Sequence, residues 1–500
     1  MNSGKVCVSV CADNLSDMID MARRSGSLAD IVELRLDCLT PEELDRFALS
    51  AGRFILTLRP TEQGGNSRLS PDERKRFWTG IGVVAGADLE ADVIDTGGDG
   101  KFDPLICSFH DFSAELADLS SSYDAISRSG APVLKIAVTV TDATDAIAVW
   151  KLLDRARRDG RGMVPIAMGE AGKWTRILGL GHGAYLTYAA PDSSSETAPG
   201  QLSVSELVDI FRVKDLDRST EVYGIIAGDT TYTMSPYVHN AAFKSSGRNA
   251  VFVPFQVSDL DQFIGRMVTP ETREIDLNFH GFSVTNPHKQ TVIRHLDEID
   301  EAARKIGAVN TIKIVDGKLH GFNTDAIGFI EPLRSKLGRL AGARIAVVGA
   351  GGAARAAIYA LKKAGADGTI FARNADKGRS LAAEFQSQFQ QLETGNSKLE
   401  TVLHSFDIIV NATPLGTRGL PQNETIAASE QLQRVKLVYD LIYNPAETRL
   451  LREAKAAGAE TLGGFDMLIA QAVEQQKIWT GEQPDADAMS ATARKKLDER

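Results

Sequence analysis

Eight short apolar runs recur through the first part of the chain, at 5–10, 31–36, 53–58, 87–94, 104–109, 133–138, 163–168 and 184–189. Most of the gaps hold an amphipathic segment, such as DNLSDMIDMARRS or TDAIAVWKLLDRARRDG. A short, mostly apolar run is the pattern of a parallel strand covered on both faces. Eight strand–helix units in so short a stretch predict a closed (β/α)8 barrel. Between the fourth and fifth runs lies TGGDGKFDP, too short and glycine-rich for a helix. One outer helix is therefore expected to be missing.

The rhythm restarts further on. A polar loop, APDSSSETAPG, and a helical VSELVDIFRV close the first half, and KDLDRSTE (214–221) reads as a linker. The run VYGIIAG begins a new strand–helix series, and RIAVVGAGGAARAAIYALKKAG at 344 begins another. We expect a barrel over 1–215, then two α/β lobes: one over 222–326, completed by 462–500, and one over 327–461. The terminal EQPDADAMSATARKKLDER reads as a surface helix or a frayed tail.

Hydrophobic residues make up 43% and charged residues 24% of the 500, the balance of a soluble globular protein. A net charge of −10 argues against a general nucleic-acid or membrane-surface binder, while local arginines leave small anionic substrates open. The four cysteines, Cys7, Cys11, Cys38 and Cys107, show no metal-ligand or disulfide-rich spacing. They read as reduced thiols. The chain enters the strand-like KVCVSV without a cationic leader and has no long apolar stretch, so a cytoplasmic location is expected. Monomer and dimer both stay open.

Barrel enzymes place chemistry at the C-terminal ends of their strands. There the sequence puts Glu33 and Arg35 (VELRLD), Arg59 (TLRPTEQGG), His110 (CSFHDF), Lys135 (APVLKIAVTV) and Arg176 (MGEAGKWTR). Thr197 and Gln201 follow the last strand. Lys135 sits in an apolar run. It is either a snorkelling or ion-paired lysine, for instance one facing Glu33, or an amine of depressed pKa that forms a Schiff base with a ketone. The iminium would acidify the neighbouring C–H, and His110 is the candidate base. The arginines suit a carboxylate and hydroxyls.

These motifs, with AYLTYA and TAPGQ, run in the order and spacing of type I 3-dehydroquinate dehydratase, which residues 5–210 resemble. The resemblance implies a Schiff-base Lys135, an acid/base His110, and substrate contacts from Glu33, Arg35, Arg59, Arg176, Thr197 and Gln201. Two positions depart from the family pattern. Gln63 stands where the family usually has Glu, which removes a charge that would help orient the histidine. Thr197 stands where it usually has Ser.

In the second half, GAGGAARA (349–356) joins a strand to a helix, as a pyrophosphate-binding turn does. Arg373 and Lys377 follow the next strand, where an NAD enzyme would carry an acid, so NADP(H) is expected. Lys289 in GFSVTNPHKQ and Asp325 in GFNTDAIGF read singly as solvated charges. Together with TMSPYVHNAAF, IGAVNT, NATPLG, DLIYNPAETRLL and GGFDMLIAQA, they resemble shikimate dehydrogenase over about 222–480. That resemblance implies proton transfer by Lys289, positioned by Asp325. It implies substrate contacts from Thr233, Ser235, Thr285, Asn310, Tyr443 and Gln471. Cofactor contacts are implied for Gly349, Ala350, Gly351, Gly352, Ala353, Arg373, Lys377, Asn411, Thr413 and Met467, and no metal is implied. Tyr232 and Thr233 depart from the family's His and Ser. The first family's product, 3-dehydroshikimate, is the second's substrate, so the resemblances together imply a fused enzyme of two consecutive steps. Quinate dehydrogenase activity in the second half and an inactive, scaffolding barrel are the alternatives.

Overall fold

A computed structural model describes residues 2–45, 47, 54–81, 85–94, 102–113, 118–392, 403–418 and 424–499. The eight expected strands are present: β1 (Lys5–Val10), β2 (Ile31–Arg35), β3 (Phe54–Thr57), β4 (Gly86–Glu90), β5 (Leu105–Asp111), β6 (Val133–Thr139), β7 (Gly162–Met168) and β8 (Leu186–Ala189). They form one parallel sheet in the order β7-β6-β5-β4-β3-β2-β1-β8. Tyr185 N donates to Met163 O across the remaining seam, so the barrel is nearly closed. The helix expected to be missing after β4 falls largely on 95–101, outside the described residues; 102–104 form a bend.

Side chains alternate along a strand, so residues two apart share a face. Cys7, Ile31, Ile55, Ile106, Val133, Val164 and Leu186 belong to one buried apolar cluster. Two residues further along the same strands stand Ser9, Glu33, Thr57, Ser108, Lys135, Ile166 and Tyr188. Two further again stand Arg35, Arg59 and His110. Strand β4 adds Asp88 and Glu90, both buried. The barrel is thus apolar toward the N-terminal ends of its strands and polar toward the C-terminal ends.

By packing, the chain divides into two compact units, Met1–Pro236 with Asn249–Phe279, and Tyr237–Arg248 with His280–Arg500. The first includes β9 (Glu221–Ala227) and β10 (Ala250–Gln256), paired in parallel from Glu221 and Ala250 onward. Asp142, beyond β6, accepts hydrogen bonds from Ser258 N and Oγ, both at 2.7 Å, and so ties the loop after β10 to the barrel. The second unit holds β11 (Phe279–Val284), β12 (Glu298–Ile299), β13 (Thr311–Val315) and β14 (Lys318–Phe322). It also holds a parallel sheet of β15 (Arg344–Val348), β16 (Asp367–Ala372), β17 (Gln388–Gln391), β18 (Ile408–Asn411), β19 (Leu437–Asp440) and β20 (Glu460–Gly463). Its order, β17-β16-β15-β18-β19-β20, is the doubly wound arrangement whose direction reverses between β15 and β18. The terminal segment is a helix, Ala486–Asp498, capped by Asp485. Among the described residues no helix is long and apolar enough to cross a membrane.

The expectation that all four cysteines are thiols is corrected for one pair. Cys11 and Cys38 form a disulfide, with Cα atoms 5.6 Å apart. Parallel pairing of β1 with β2 carries both residues to the same rim, although 27 positions separate them in sequence. Cys7 and Cys107 are buried free thiols. Denatured without reductant, the chain is expected to titrate two thiols with a thiol reagent, and four after reduction; four without reductant would refute the bond.

Candidate active sites

Glu33, Arg35, Arg59, His110, Lys135, Arg176, Thr197 and Gln201 all line one cavity in the barrel. Lys135 Nζ donates to Asp88 Oδ2 at 2.7 Å and lies 4.2 Å over the Tyr188 ring. Glu33 is the partner that the ion-paired reading of this lysine offers. Glu33 instead accepts from Ser9 Oγ and from Thr57 Oγ1 (2.7 Å), and Asp88 takes the lysine. Arg59 Nη2 lies 2.8 Å from the other Asp88 oxygen, while its Nη1 donates to Glu90 Oε1 (2.6 Å) and Ser108 Oγ (2.7 Å). One carboxylate therefore bridges the lysine and the arginine. Burial alone would raise the Asp88 pKa, but Arg59 and Lys135 more than offset it and hold the group well below the usual carboxylate range.

His110, one strand from Lys135, is pushed well below its ordinary pKa, first by burial and then by Arg59 and Lys135. Its main-chain N–H donates to Gln63 Oε1 at 3.1 Å, and its Nδ1 stands 3.3 Å from the same oxygen. Arg35 is held in two-point contact by Asp37, at 2.9 and 2.7 Å. Arg176 is buried, and its Nε has no hydrogen-bond partner among the described residues. Burial pushes this guanidinium down to about 10. A buried guanidinium with an unfilled donor, facing a cavity, fits a carboxylate ligand. Gln201 Oε1 accepts from Thr197 N (2.8 Å) and Oγ1 (3.2 Å), which fixes the loop after β8.

In the second unit, Lys289 Nζ donates to Asp325 Oδ2 at 2.5 Å. Asn310 Nδ2 donates to Asp325 Oδ1 (2.9 Å) and Thr324 Oγ1 (3.0 Å), and Thr324 Oγ1 stands 3.4 Å from Gln471 Oε1. Asp325 opens the helix Asp325–Leu337, with its main-chain N–H on Asn323 Oδ1. Lys289, Asp325, Asn310 and Gln471 thus form one connected group. Thr285 O accepts from His288 N in the loop that leads to Lys289. Tyr443 is half-buried beyond β19. In the first unit, Ser235 N donates to Thr233 Oγ1 (3.2 Å) at the start of the helix Ser235–Ser246.

Crevices at the C-terminal ends of β15 and β18, where the strand order reverses, are where open α/β sheets bind ligands. Gly349 there has a φ of +129°, and a Cβ on it would meet Ala412 O at 2.8 Å. Ala350 and Ala353 flank the turn, and the helix Gly352–Lys363 starts from it. A Cβ on Gly351 would meet no atom within 4 Å, so the backbone is open to a pyrophosphate at the helix start. A Cβ on Gly352 would lie 3.3 Å from Lys289 Cδ, so this helix start abuts the lysine. Arg373 and Lys377 are exposed beyond β16 and make no ion pair among the described residues, which suits a 2′-phosphate. Asn411 donates to Asp440 Oδ1 (3.0 Å) and accepts from Thr413 N and Oγ1. Burial pushes Asp440 up to about 6. Met467 is buried in the helix Gly464–Thr480. The residues present fit a phosphorylated dinucleotide.

Sequence reading missed Asp88, Glu90, Tyr188 and Asp440. A signal was available for the first two: carboxylates two apart in the apolar run GADLEADV share one face.

Family models match along the chain. One described as type I 3-dehydroquinase matches residues 6–218. The shikimate dehydrogenase substrate binding domain matches 225–312, shikimate / quinate 5-dehydrogenase matches 331–447, and the shikimate 5'-dehydrogenase C-terminal domain matches 464–494. A chloroplastic bifunctional 3-dehydroquinate dehydratase/shikimate dehydrogenase of Arabidopsis thaliana is 34% identical over 96% of this chain and 82% of its own length. A shikimate dehydrogenase (NADP(+)) of Methanocaldococcus jannaschii is 42% identical over 55% of this chain and 96% of its own. A crystal structure of a shikimate dehydrogenase in complex with NADP+ superposes with a TM-score of 0.51, at 40% identity, over 56% of this chain and 96% of that one.

Removing Asp88 leaves two buried cations without their shared partner. Asp88→Ala is expected to cost about 3–5 kcal/mol of stability, the scale for breaking a buried pair from one side. Denaturant unfolding checks this, and a loss below about 1 kcal/mol would show that the cations find other partners.

Proposed function

This chain belongs to the family of bifunctional 3-dehydroquinate dehydratase/shikimate dehydrogenases, and from that premise we propose how its residues divide the work. The barrel, 1–215, dehydrates 3-dehydroquinate to 3-dehydroshikimate. Lys135 attacks the ketone and expels water, leaving an iminium whose electron demand acidifies the adjacent C–H. His110, which is neutral at physiological pH, takes that proton. His110 returns that proton to the departing hydroxyl, which leaves as water while the alkene forms, and a second water adds to the iminium carbon to free the product and the amine. Arg176 holds the substrate carboxylate, while Arg35, Arg59, Glu33, Thr197 and Gln201 orient the ring. Asp88 keeps Lys135 in place and balances the positive charge that persists through the iminium stage. The observation that carries this reading is the placement of Lys135 and His110 on adjacent strands of one cavity.

The second half reduces 3-dehydroshikimate to shikimate. Its substrate lobe is 222–326 with 462–500, and its cofactor lobe is 327–461. NADPH, when bound, supplies the hydride. Lys289 gives a proton to the carbonyl oxygen, and Asp325, fixed by Asn310, keeps the ammonium aimed. Asn310, Gln471, Thr285 and Tyr443 hold the substrate carboxylate and hydroxyls. The turn at Gly349–Ala353 would hold the pyrophosphate, Arg373 and Lys377 would hold the 2′-phosphate, and Asn411, Thr413 and Met467 would contribute further cofactor contacts. A cytoplasmic location fits a reductase fed by cellular NADPH, whereas the Cys11–Cys38 bond is the feature that favours an oxidising compartment. Cell fractionation decides between them.

A coupled assay tests both halves: the chain, given 3-dehydroquinate and NADPH, is expected to consume NADPH and form shikimate. Borohydride added with 3-dehydroquinate should leave a reduced adduct on Lys135, seen by peptide mass, and Lys135→Ala should lose both the adduct and dehydration. Full dehydration by Lys135→Ala would end the Schiff-base assignment. For the second half, Lys289→Ala is expected to lower the reduction kcat by roughly 10²–10⁴-fold with NADPH still bound. Arg373→Asp should raise the KM for NADPH roughly tenfold or more, through loss of a charge-assisted contact, and spare NADH.

A further inference from the structure

The segment that carries Gln63 is built to deliver one side chain. Thr61–Gln63 form a single helical turn, and Gly64 follows it at a φ of +76°. A Cβ on Gly64 would fall 2.2 Å from the Phe112 ring, and one on Gly65 would fall 2.1 Å from Arg59 O. Gly65 has no room for a side chain against the Arg59 backbone, and the positive φ of Gly64 disfavours one. The turn is pinned at both ends: Gly65 N donates to Pro60 O (2.9 Å), Ser67 N to Arg59 O (3.0 Å) and Asn66 N to Asp37 Oδ2 (3.0 Å). Gln63 is thereby set against the end of β5.

There a single amide oxygen meets two atoms of His110. The main-chain N–H is a donor and nothing else, so the group it meets at 3.1 Å is the carbonyl end of the amide. A carbonyl oxygen only accepts, so Nδ1, 3.3 Å from that same oxygen, is the ring nitrogen that bears hydrogen. On the reading of the barrel as a dehydratase, we infer that Gln63 is a positioning residue of the reaction: it holds the proton of His110 on Nδ1, leaves Nε2 to receive the substrate proton, and does this without placing a charge beside the ring.

The neutrality has a consequence. Among the described residues, the charges that act most on His110 are Arg59 beyond β3, Lys135 on β6, Asp88 on β4 and Arg35 on β2, and Arg176 and Tyr188 line the same cavity. Glu33 lines the same cavity, with its oxygens on Ser9 and Thr57. Cations dominate this set, and burial adds to them, so His110 keeps its basic form into acid. A carboxylate at position 63 would accept the same Nδ1 proton but would stabilise the imidazolium. Gln63 therefore extends dehydration to lower pH than a carboxylate would.

The test uses the full chain and its Gln63→Leu and Gln63→Glu variants, with 3-dehydroquinate as substrate. Nitrogen-15 NMR of the histidine rings, with His110 assigned through His110→Asn, should place the proton on Nδ1 in the unmodified chain and in Gln63→Glu. Gln63→Leu should lower the dehydration kcat roughly tenfold or more with KM little changed. Its borohydride adduct on Lys135 and its unaltered shikimate oxidation show that both halves are folded. Gln63→Glu should retain kcat at neutral pH and move the acid limb of kcat/KM upward by roughly one unit or more. A proton on Nε2 in the unmodified chain, an unchanged kcat in Gln63→Leu, or an unmoved acid limb in Gln63→Glu each overturns the inference. An unmodified chain that neither dehydrates 3-dehydroquinate nor forms the adduct overturns the dehydratase reading instead, and the NMR result still judges the Gln63 contact.

Discussion

The carboxylate of Asp88 is the charge on which the barrel's interior depends. It lies between Arg59 and Lys135, 2.8 and 2.7 Å from them, and its side chain has no solvent exposure. Without it, two cations would face each other in a space that excludes water, at a cost of several kcal/mol. With it, the lysine amine stands at a fixed height in the cavity, one strand from His110. The other groups follow the same rule. Glu90 takes the second face of Arg59, Glu33 is satisfied by two hydroxyls, and Asp37 takes Arg35. Arg176 differs: it makes no ion pair among the described residues and keeps a buried Nε without a hydrogen-bond partner.

The second unit reaches its geometry by a different device. The reversal of strand order between β15 and β18 opens a crevice by topology alone. A glycine turn then brings a helix start against the Lys289 side chain. Lys289 is paired to a carboxylate as Lys135 is, but the two pairs differ in exposure. The Lys289 side chain is 21% exposed and that of Lys135 only 7%. The difference fits the proposed roles: a lysine that exchanges protons with solvent during turnover needs access to water, whereas one that forms a covalent bond to a ketone is served by its exclusion.

Much of the fold was legible because periodicity is a local property. The eight barrel runs, the glycine turn at 349 and the cations after β16 could each be read from a few adjacent residues. Partners could not. Lys135 was recognisable as anomalous in APVLKIAVTV, yet its partner lies 47 positions earlier, on a strand two removed in the sheet. Asp88 and Glu90 carried a readable signal, their spacing of two, but the acids looked like the polar border of a run. The cysteine pair gave no signal at all, since its closeness arises from strand pairing. Gln63 looked like the loss of a charge; its side-chain oxygen lies against both the main-chain N–H and Nδ1 of His110.

The sequence by itself determined which elements form and where each reactive side chain sits along its strand, because alternation and helical spacing depend only on neighbours in the chain. It also determined chemical type: amine, imidazole, guanidinium, glycine turn. Tertiary structure alone decided which charges meet. Asp88 rather than Glu33 holds Lys135, the Gln63 side chain meets His110, and Cys11 finds Cys38, because these contacts are set by the stagger of strands around a nearly closed sheet. That stagger is a property of the whole barrel, and no window of adjacent residues contains it.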